Sequence, residues 1–71
     1  SGWSQIASEG QSFSVNGTQV VRYGSGSAWI TLAVTNGGLC TNEFFGSDPL
    51  VGIVKQCEAA STAGATLASL R

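Results

Sequence analysis

Along most of the chain, large apolar residues alternate with polar ones, the period of a strand that buries one face. Trp3-Ser4-Gln5-Ile6-Ala7 shows the pattern first, and Ser8-Glu9-Gly10 reads as a turn. Ser12-Phe13-Ser14-Val15 alternates again and runs into Asn16-Gly17, the strongest short hairpin signal in the sequence. Thr18-Gln19-Val20-Val21-Arg22-Tyr23 is then the return strand. Gly24-Ser25-Gly26-Ser27 turns the chain into Ala28-Trp29-Ile30-Thr31-Leu32-Ala33-Val34, the most convincing strand. Thr35-Asn36-Gly37-Gly38 closes it with a second hairpin-type turn.

Beyond Cys40 the character changes. Thr41-Asn42-Glu43-Phe44-Phe45-Gly46-Ser47-Asp48-Pro49 reads as an irregular loop, and Val51-Gly52-Ile53-Val54-Lys55-Gln56-Cys57 as a last strand. The predicted fold is all-β: a small antiparallel β-sandwich or barrel-like sheet of five to six short strands. Residues 1–58 form the module. Residues 59–71, rich in Ala, Ser and Thr, read as a linker toward a neighbouring domain or as a short C-terminal helix.

Composition narrows the function classes. Seventy-one residues make at most one domain, and a chain this short buries only about 60% of its unfolded surface, so a covalent staple would help. Apolar residues make up 42% and charged residues 10%, the reverse of a disordered segment. Three scattered cations, Arg22, Lys55 and Arg71, cannot build the basic patch that nucleic acid requires. No apolar run approaches the roughly 20 residues of a membrane-spanning helix. Cys40 and Cys57 have no histidine to join them in a zinc site and no C-x-x-C spacing for redox work, so they are expected to pair. A disulfide, the sequon Asn16-Gly17-Thr18 and a start at Ser1 rather than Met fit a secreted, extracellular protein.

Catalysis is not expected. Without histidine no Ser-His-Asp or Cys-His nucleophile system can form. Glu9, Glu43, Asp48 and Glu58 are the only carboxylates, with little chain from which to wall a cleft around two of them. They also make a weak oxygen cage for a metal, and no cofactor is called for. Aromatics are the richer group. Trp29 and Phe13 sit on alternating strands and are expected in the core. Tyr23, Phe44, Phe45 and Trp3 are the candidates to stack on a sugar ring. Arg22, Asn42, Glu43 and Asp48 are placed to hydrogen-bond its hydroxyls. The competing role for Arg22 is an ion pair with Asp48 or Glu9 that fixes the sheet, and for the two Phe residues an apolar plug at one end of the fold.

The pattern Trp3…Ala7-x-Glu9-Gly10…Phe13-x-Val15-x-Gly17-Thr18-x-x-Val21-Arg22-Tyr23-Gly24…Trp29…Cys40-x-Asn42…Phe45-Gly46-x-Asp48-Pro49…Gly52-x-x-Lys55-x-Cys57 covers residues 3–58. It resembles small one-disulfide β modules, carbohydrate-binding-module-like, that are appended to secreted microbial polysaccharide-degrading enzymes. The resemblance implies a sandwich-like fold, a non-catalytic role and a polysaccharide partner. Many such modules carry a second cysteine pair near the N-terminus, where Ile6 and Phe13 stand here. The expected function is therefore a carbohydrate-binding module or small lectin for a neutral or weakly charged polysaccharide or glycan. Self-association or a tethered enzyme domain would add avidity. The alternatives are a secreted protein-interaction module (toxin, inhibitor or effector) with an exposed aromatic patch, and a purely structural extracellular unit.

Overall fold

The computed structural model describes residues 2–60. They form four strands and one short helix: β1 (Trp3–Ser8), β2 (Ser12–Ser25), β3 (Ala28–Leu39), α1 (Asn42–Phe45) and β4 (Gln56–Ala60). The strands make one sheet in the order β1-β4-β2-β3, with every neighbouring pair antiparallel. Four strands thus stand in place of the expected five to six.

The difference comes from the two Asn-Gly signals. Neither is a hairpin turn. β2 runs straight through Asn16-Gly17 and β3 through Asn36-Gly37, and the two sites face each other. Register passes from Ser14↔Gly37 to Thr18↔Thr35, so Val15, Asn16 and Gly17 oppose Asn36 alone. Gly17 and Asn36 take left-handed backbone there, with φ of 64° and 69°. Asn-Gly signals left-handed φ, and a bulge uses that conformation as readily as a tight turn does. The true hairpin turn is Gly26-Ser27, where Gly26 has φ 60° and Ser25 pairs with Ala28.

The last strand also begins later than its apolar run predicts. Residues 51–53 are turn and bend, Val51 and Val54 are exposed, and pairing starts at Gln56. The inward positions are Lys55, Cys57 and Ala59, all buried. β4 continues through Ala60, which pairs with Trp3, and so carries the sheet past residue 58. The rest of the linker-or-helix expectation, residues 61–71, lies outside the described residues.

Period-2 alternation gives the sheet two faces. One carries the core: Ala7, Val21, Tyr23, Val34, Cys57 and Ala59 from the strands, joined by Phe13, Cys40 and Phe45. α1 packs onto this face. Thr41 caps it by accepting the N–H of Phe44 through its hydroxyl, and Gly46 ends it with left-handed backbone. The Phe45 ring stacks on Tyr23 at 4.9 Å, and Phe44 meets Phe13 and Phe45 edge-on. Phe44 lies on Gly38, where a Cβ would come within 2.3 Å of its ring. Phe13 is buried as its alternation predicts, and Ile6 packs against the same core.

Cys40 and Cys57 form the predicted disulfide, joining the end of β3 to β4 across the segment that contains α1. Backbone hydrogen bonds from Gly10 to the Cys40 carbonyl and from Cys40 to the Gln11 carbonyl hold the same point to the β1–β2 turn. Replacing both cysteines by alanine is expected to lower unfolding free energy by about 3 kcal/mol, the chain-entropy value for a loop of this length. A guanidinium titration of both proteins checks it: an unchanged midpoint would mean that the aromatic cluster alone holds this end.

Candidate functional site

The opposite face of the sheet holds the chain's two tryptophans. β2 turns Val21 and Tyr23 inward, so Arg22 points outward. Arg22 is in register with Glu58 on β4 and Thr31 on β3, and Glu58 with Gln5 on β1. This row crosses all four strands. Trp3 stands two residues to one side of it on β1, and Trp29 two residues to the other side on β3. Both rings reach Arg22: its guanidinium carbon is 4.4 Å from the Trp3 ring centroid and 3.8 Å from that of Trp29. Each tryptophan has a small cross-strand partner, Ala60 for Trp3 and Gly24 for Trp29. Neither partner has a side chain long enough to cover an indole, and the Arg22 guanidinium lies against both rings. Gly24 is also required by the backbone, since a Cβ there would lie 1.9 Å from the Ala28 carbonyl oxygen.

Hydrogen bonds and charge fix the array. Arg22 donates from Nε (2.8 Å) and Nη2 (2.6 Å) to Oε1 of Glu58. Gln56 Nε2 donates to the other carboxylate oxygen at 2.6 Å. The Trp29 indole N–H donates to the Gly26 carbonyl at 2.8 Å, tying that ring to the hairpin turn. Arg22 therefore pairs with Glu58, and not with Asp48 or Glu9. Trp29, expected in the core, is half-buried on the outer face, as is Trp3. A cation on an indole face contributes about 0.5–2 kcal/mol depending on desolvation, so the three groups rigidify one another. The ion pair leaves this patch with no net charge.

Most other candidates serve the interior. Tyr23 is fully buried; its hydroxyl donates to Asn42 Oδ1 and its ring stacks on Phe45, so neither ring offers a face to a sugar. Removal from water pushes the Tyr23 phenol above its ordinary pKa of 10.0. Asn42 is thereby occupied in positioning α1. Phe44 is half-buried against Gly38, and Glu43 is exposed on α1, away from the tryptophan face. Asp48 accepts the Leu50 N–H and pairs with Lys55. Of the eight candidate residues, the structure brings Trp3 and Arg22 together on the outer face, and Tyr23, Asn42, Phe44 and Phe45 together on the core side. Trp29, Glu58 and Gln56, which are not among the eight, join Trp3 and Arg22 on the outer face. The signal was present: with the hairpin turn placed at Gly26-Ser27, Gly24 faces Trp29, and alternation puts Trp29 on the side of Arg22.

A second cluster centres on Lys55, which is 3% exposed. Its ammonium lies 2.9 Å from Asp48 Oδ1 and 3.3 Å from Glu9 Oε1, and also donates to the carbonyls of Leu50 and Ile53. Glu9 Oε1 accepts the Lys55 backbone N–H as well, while the Glu9 N–H donates to the Lys55 carbonyl. Its ammonium protons are thus directed at four oxygen acceptors, which makes Lys55 a clamp on the loop rather than a nucleophile. Glu9, Asp48 and Lys55, with Gly10, Gly52, Ile53 and Val54, line a shallow open depression. Among the described residues no cluster of His, Cys, Asp and Glu could hold a metal, and no helix is long and apolar enough to cross a membrane. No protein-family model matches the chain, and no solved structure matches it.

The clamp sets a pH dependence. The backbone N–H of Lys55 holds Glu9 below its ordinary 4.5, and the ammonium hydrogen bond holds Asp48 below 3.8. Burial pushes Lys55 down, but its hydrogen bonds to Asp48 and Glu9 outweigh this and raise it above 10.5. Lowered carboxylate values mean stability that is complete above about pH 4.5 and lost as pH falls through the folded values. Raised Lys55 and Tyr23 values mean stability complete below about pH 10.0 and lost as pH rises through theirs. Thermal midpoints should therefore form a plateau between these limits and fall on both sides. Lys55→Met keeps the backbone N–H that holds Glu9 but removes the ammonium that holds Asp48, so it should lower the plateau by about 10 °C and flatten the Asp48 part of the acid limb. An acid limb of unchanged steepness in that variant would mean that the Asp48–Lys55 pair does not shape it.

Proposed function

We propose that the protein is a non-catalytic carbohydrate-binding module and that its ligand surface is the outer face of the sheet. The observation that carries this is the arrangement Trp3–Arg22–Trp29 on one side of a sheet whose other side is the core. Indole surface supplies the stacking contact for the apolar face of a pyranose. Gln5, Gln56, Glu58 and Thr31 supply acceptors and donors for its hydroxyls. Mutual neutralisation of Arg22 and Glu58 favours a neutral polysaccharide. The fold is then a small sandwich-like module in which α1 and the 46–55 loop form the layer opposite the sheet, and the disulfide is compatible with secretion. A flat site of this size should bind with micromolar to millimolar affinity per site.

One observation favours a protein partner instead: Val51 and Val54, 84% and 78% exposed, stand beside Ile53 on the loop held by Lys55. The two roles separate by mutation. Retention on insoluble neutral polysaccharides should fall about tenfold or more in Trp29→Ala and in Trp3→Ala, with circular dichroism unchanged, and persist in Val51→Ser/Val54→Ser. Undiminished retention in both tryptophan variants would refute the surface. Failure of the parent protein to bind any neutral polysaccharide at millimolar concentrations would refute the function.

A further inference from the structure

We infer that the protein self-associates through the open edge of β3, which pairs antiparallel with β3 of a second copy about a two-fold axis at Thr31; this stands apart from the saccharide-binding role. β3 is an edge strand, and from Ala28 to Thr35 it pairs with β2 without a register break. Every second residue of such a strand turns its N–H and C=O away from its one neighbour. Among the described residues, no backbone hydrogen bond reaches those groups. Natural edges are guarded by charge, proline, shortness or a bulge. The stretch Ala-Trp-Ile-Thr-Leu-Ala-Val-Thr over 28–35 carries neither charge nor proline. The opposite edge, β1, is six residues long and its register breaks at Ile6. Exposure marks the same place on both faces. Thr31, Leu32 and Ala33 are successive exposed residues, although Leu32 pairs with buried Val21 and so faces the core side.

The strand fits a copy of itself. An antiparallel strand meeting its copy pairs each residue with one on the same face, around a central residue that opposes itself. The two-residue turn at Gly26-Ser27 makes Ser25 and Ala28 a hydrogen-bonded pair, so Trp29, Thr31 and Ala33 point their N–H and C=O to the open edge. Centring on Thr31 sets Trp29 opposite Ala33 of the second copy, and Ile30 opposite its Leu32. The indole, with Gly24 on its β2 side, then has a small residue on its other side too. It also comes beside Val20, the 42% exposed cross-strand neighbour of Ala33. On the core side, Leu32 (37% exposed) gains an apolar partner in Ile30. With no charge on the strand, the seam opposes no like charges. A single seam is smaller than the roughly 1,200–2,000 Å² of a standard stable interface, so the dimer is weak and concentration-dependent. The axis stands perpendicular to the sheet, and both outer faces look the same way.

Sedimentation of the full chain from micromolar to millimolar concentration should show a monomer–dimer equilibrium. Thr31→Lys sets two ammonium groups against each other at the axis and should weaken dimerisation about tenfold or more, with circular dichroism unchanged. Thr31→Val, and Ser4→Lys on the opposite edge, should dimerise as the parent does. Thr31→Cys should be joined to its copy by a short thiol-to-thiol cross-linker, because the self-opposed Cα atoms lie about 5.5 Å apart. Ala33→Cys should not be joined, since its two copies lie on the order of 14 Å apart from strand rise and spacing. A monomer throughout the range would overturn the inference. So would dimerisation that ignores Thr31→Lys, or cross-linking at Ala33 equal to that at Thr31. Growth beyond the dimer would overturn it as well, pointing to β3 paired with β1 of the next copy. Should Thr31→Lys fail to fold, the cross-linking comparison decides by itself.

Discussion

A buried ammonium organises this small protein. Lys55 faces inward because strand alternation aligns it with Cys57 and Ala59, and an inward charge must be surrounded by oxygen. Two carboxylates and two carbonyls supply it, and in doing so they bend residues 48–55 around the amine. The bend delivers the chain to Gln56, where β4 begins, and the reciprocal backbone bonds with Glu9 align β4 to β1. The disulfide holds the same strand from the core side. Insertion of β4 between β1 and β2 therefore depends on a charge cluster and a covalent bond at one end of the sheet.

That insertion is what assembles the outer face. Glu58 arrives beside Arg22 because β4 lies between β1 and β2, and Trp3 approaches the same guanidinium because β1 pairs with the far side of β4. Along β2, neighbouring residues divide the work. Tyr23 anchors α1 through Asn42 and Phe45, while Arg22 organises the surface. The core that stabilises the module and the face proposed to bind sugar are thus two sides of one strand, with a residue-by-residue alternation separating them.

Several elements were readable in the residues. Alternation located β1, the central part of β2 and the first half of β3. The lack of histidine and the spacing of the cysteines indicated the disulfide, and Phe13 read correctly as core. Misreadings share one cause: a local signal with two structural uses. Asn16-Gly17 and Asn36-Gly37 signal left-handed backbone, which here forms a bulge inside continuous strands. The apolar run at 51–54 signals burial, but the adjacent lysine needed its carbonyls turned inward. Phe44 and Phe45 looked like loop aromatics until a four-residue helix laid them on the core.

The sequence by itself determined the β-rich character, the alternation along β1, central β2 and the first half of β3, the disulfide and the poverty of charge, because these follow from period, composition and pairing chemistry that act locally. Only the tertiary structure decided strand order and partner choice. Arg22 lies 36 residues from Glu58 and 19 from Trp3 in the chain, and nothing local distinguishes Glu58 from Glu9 or Asp48 as its partner. Long-range register chose among them, through the burial of Lys55 and the position of β4.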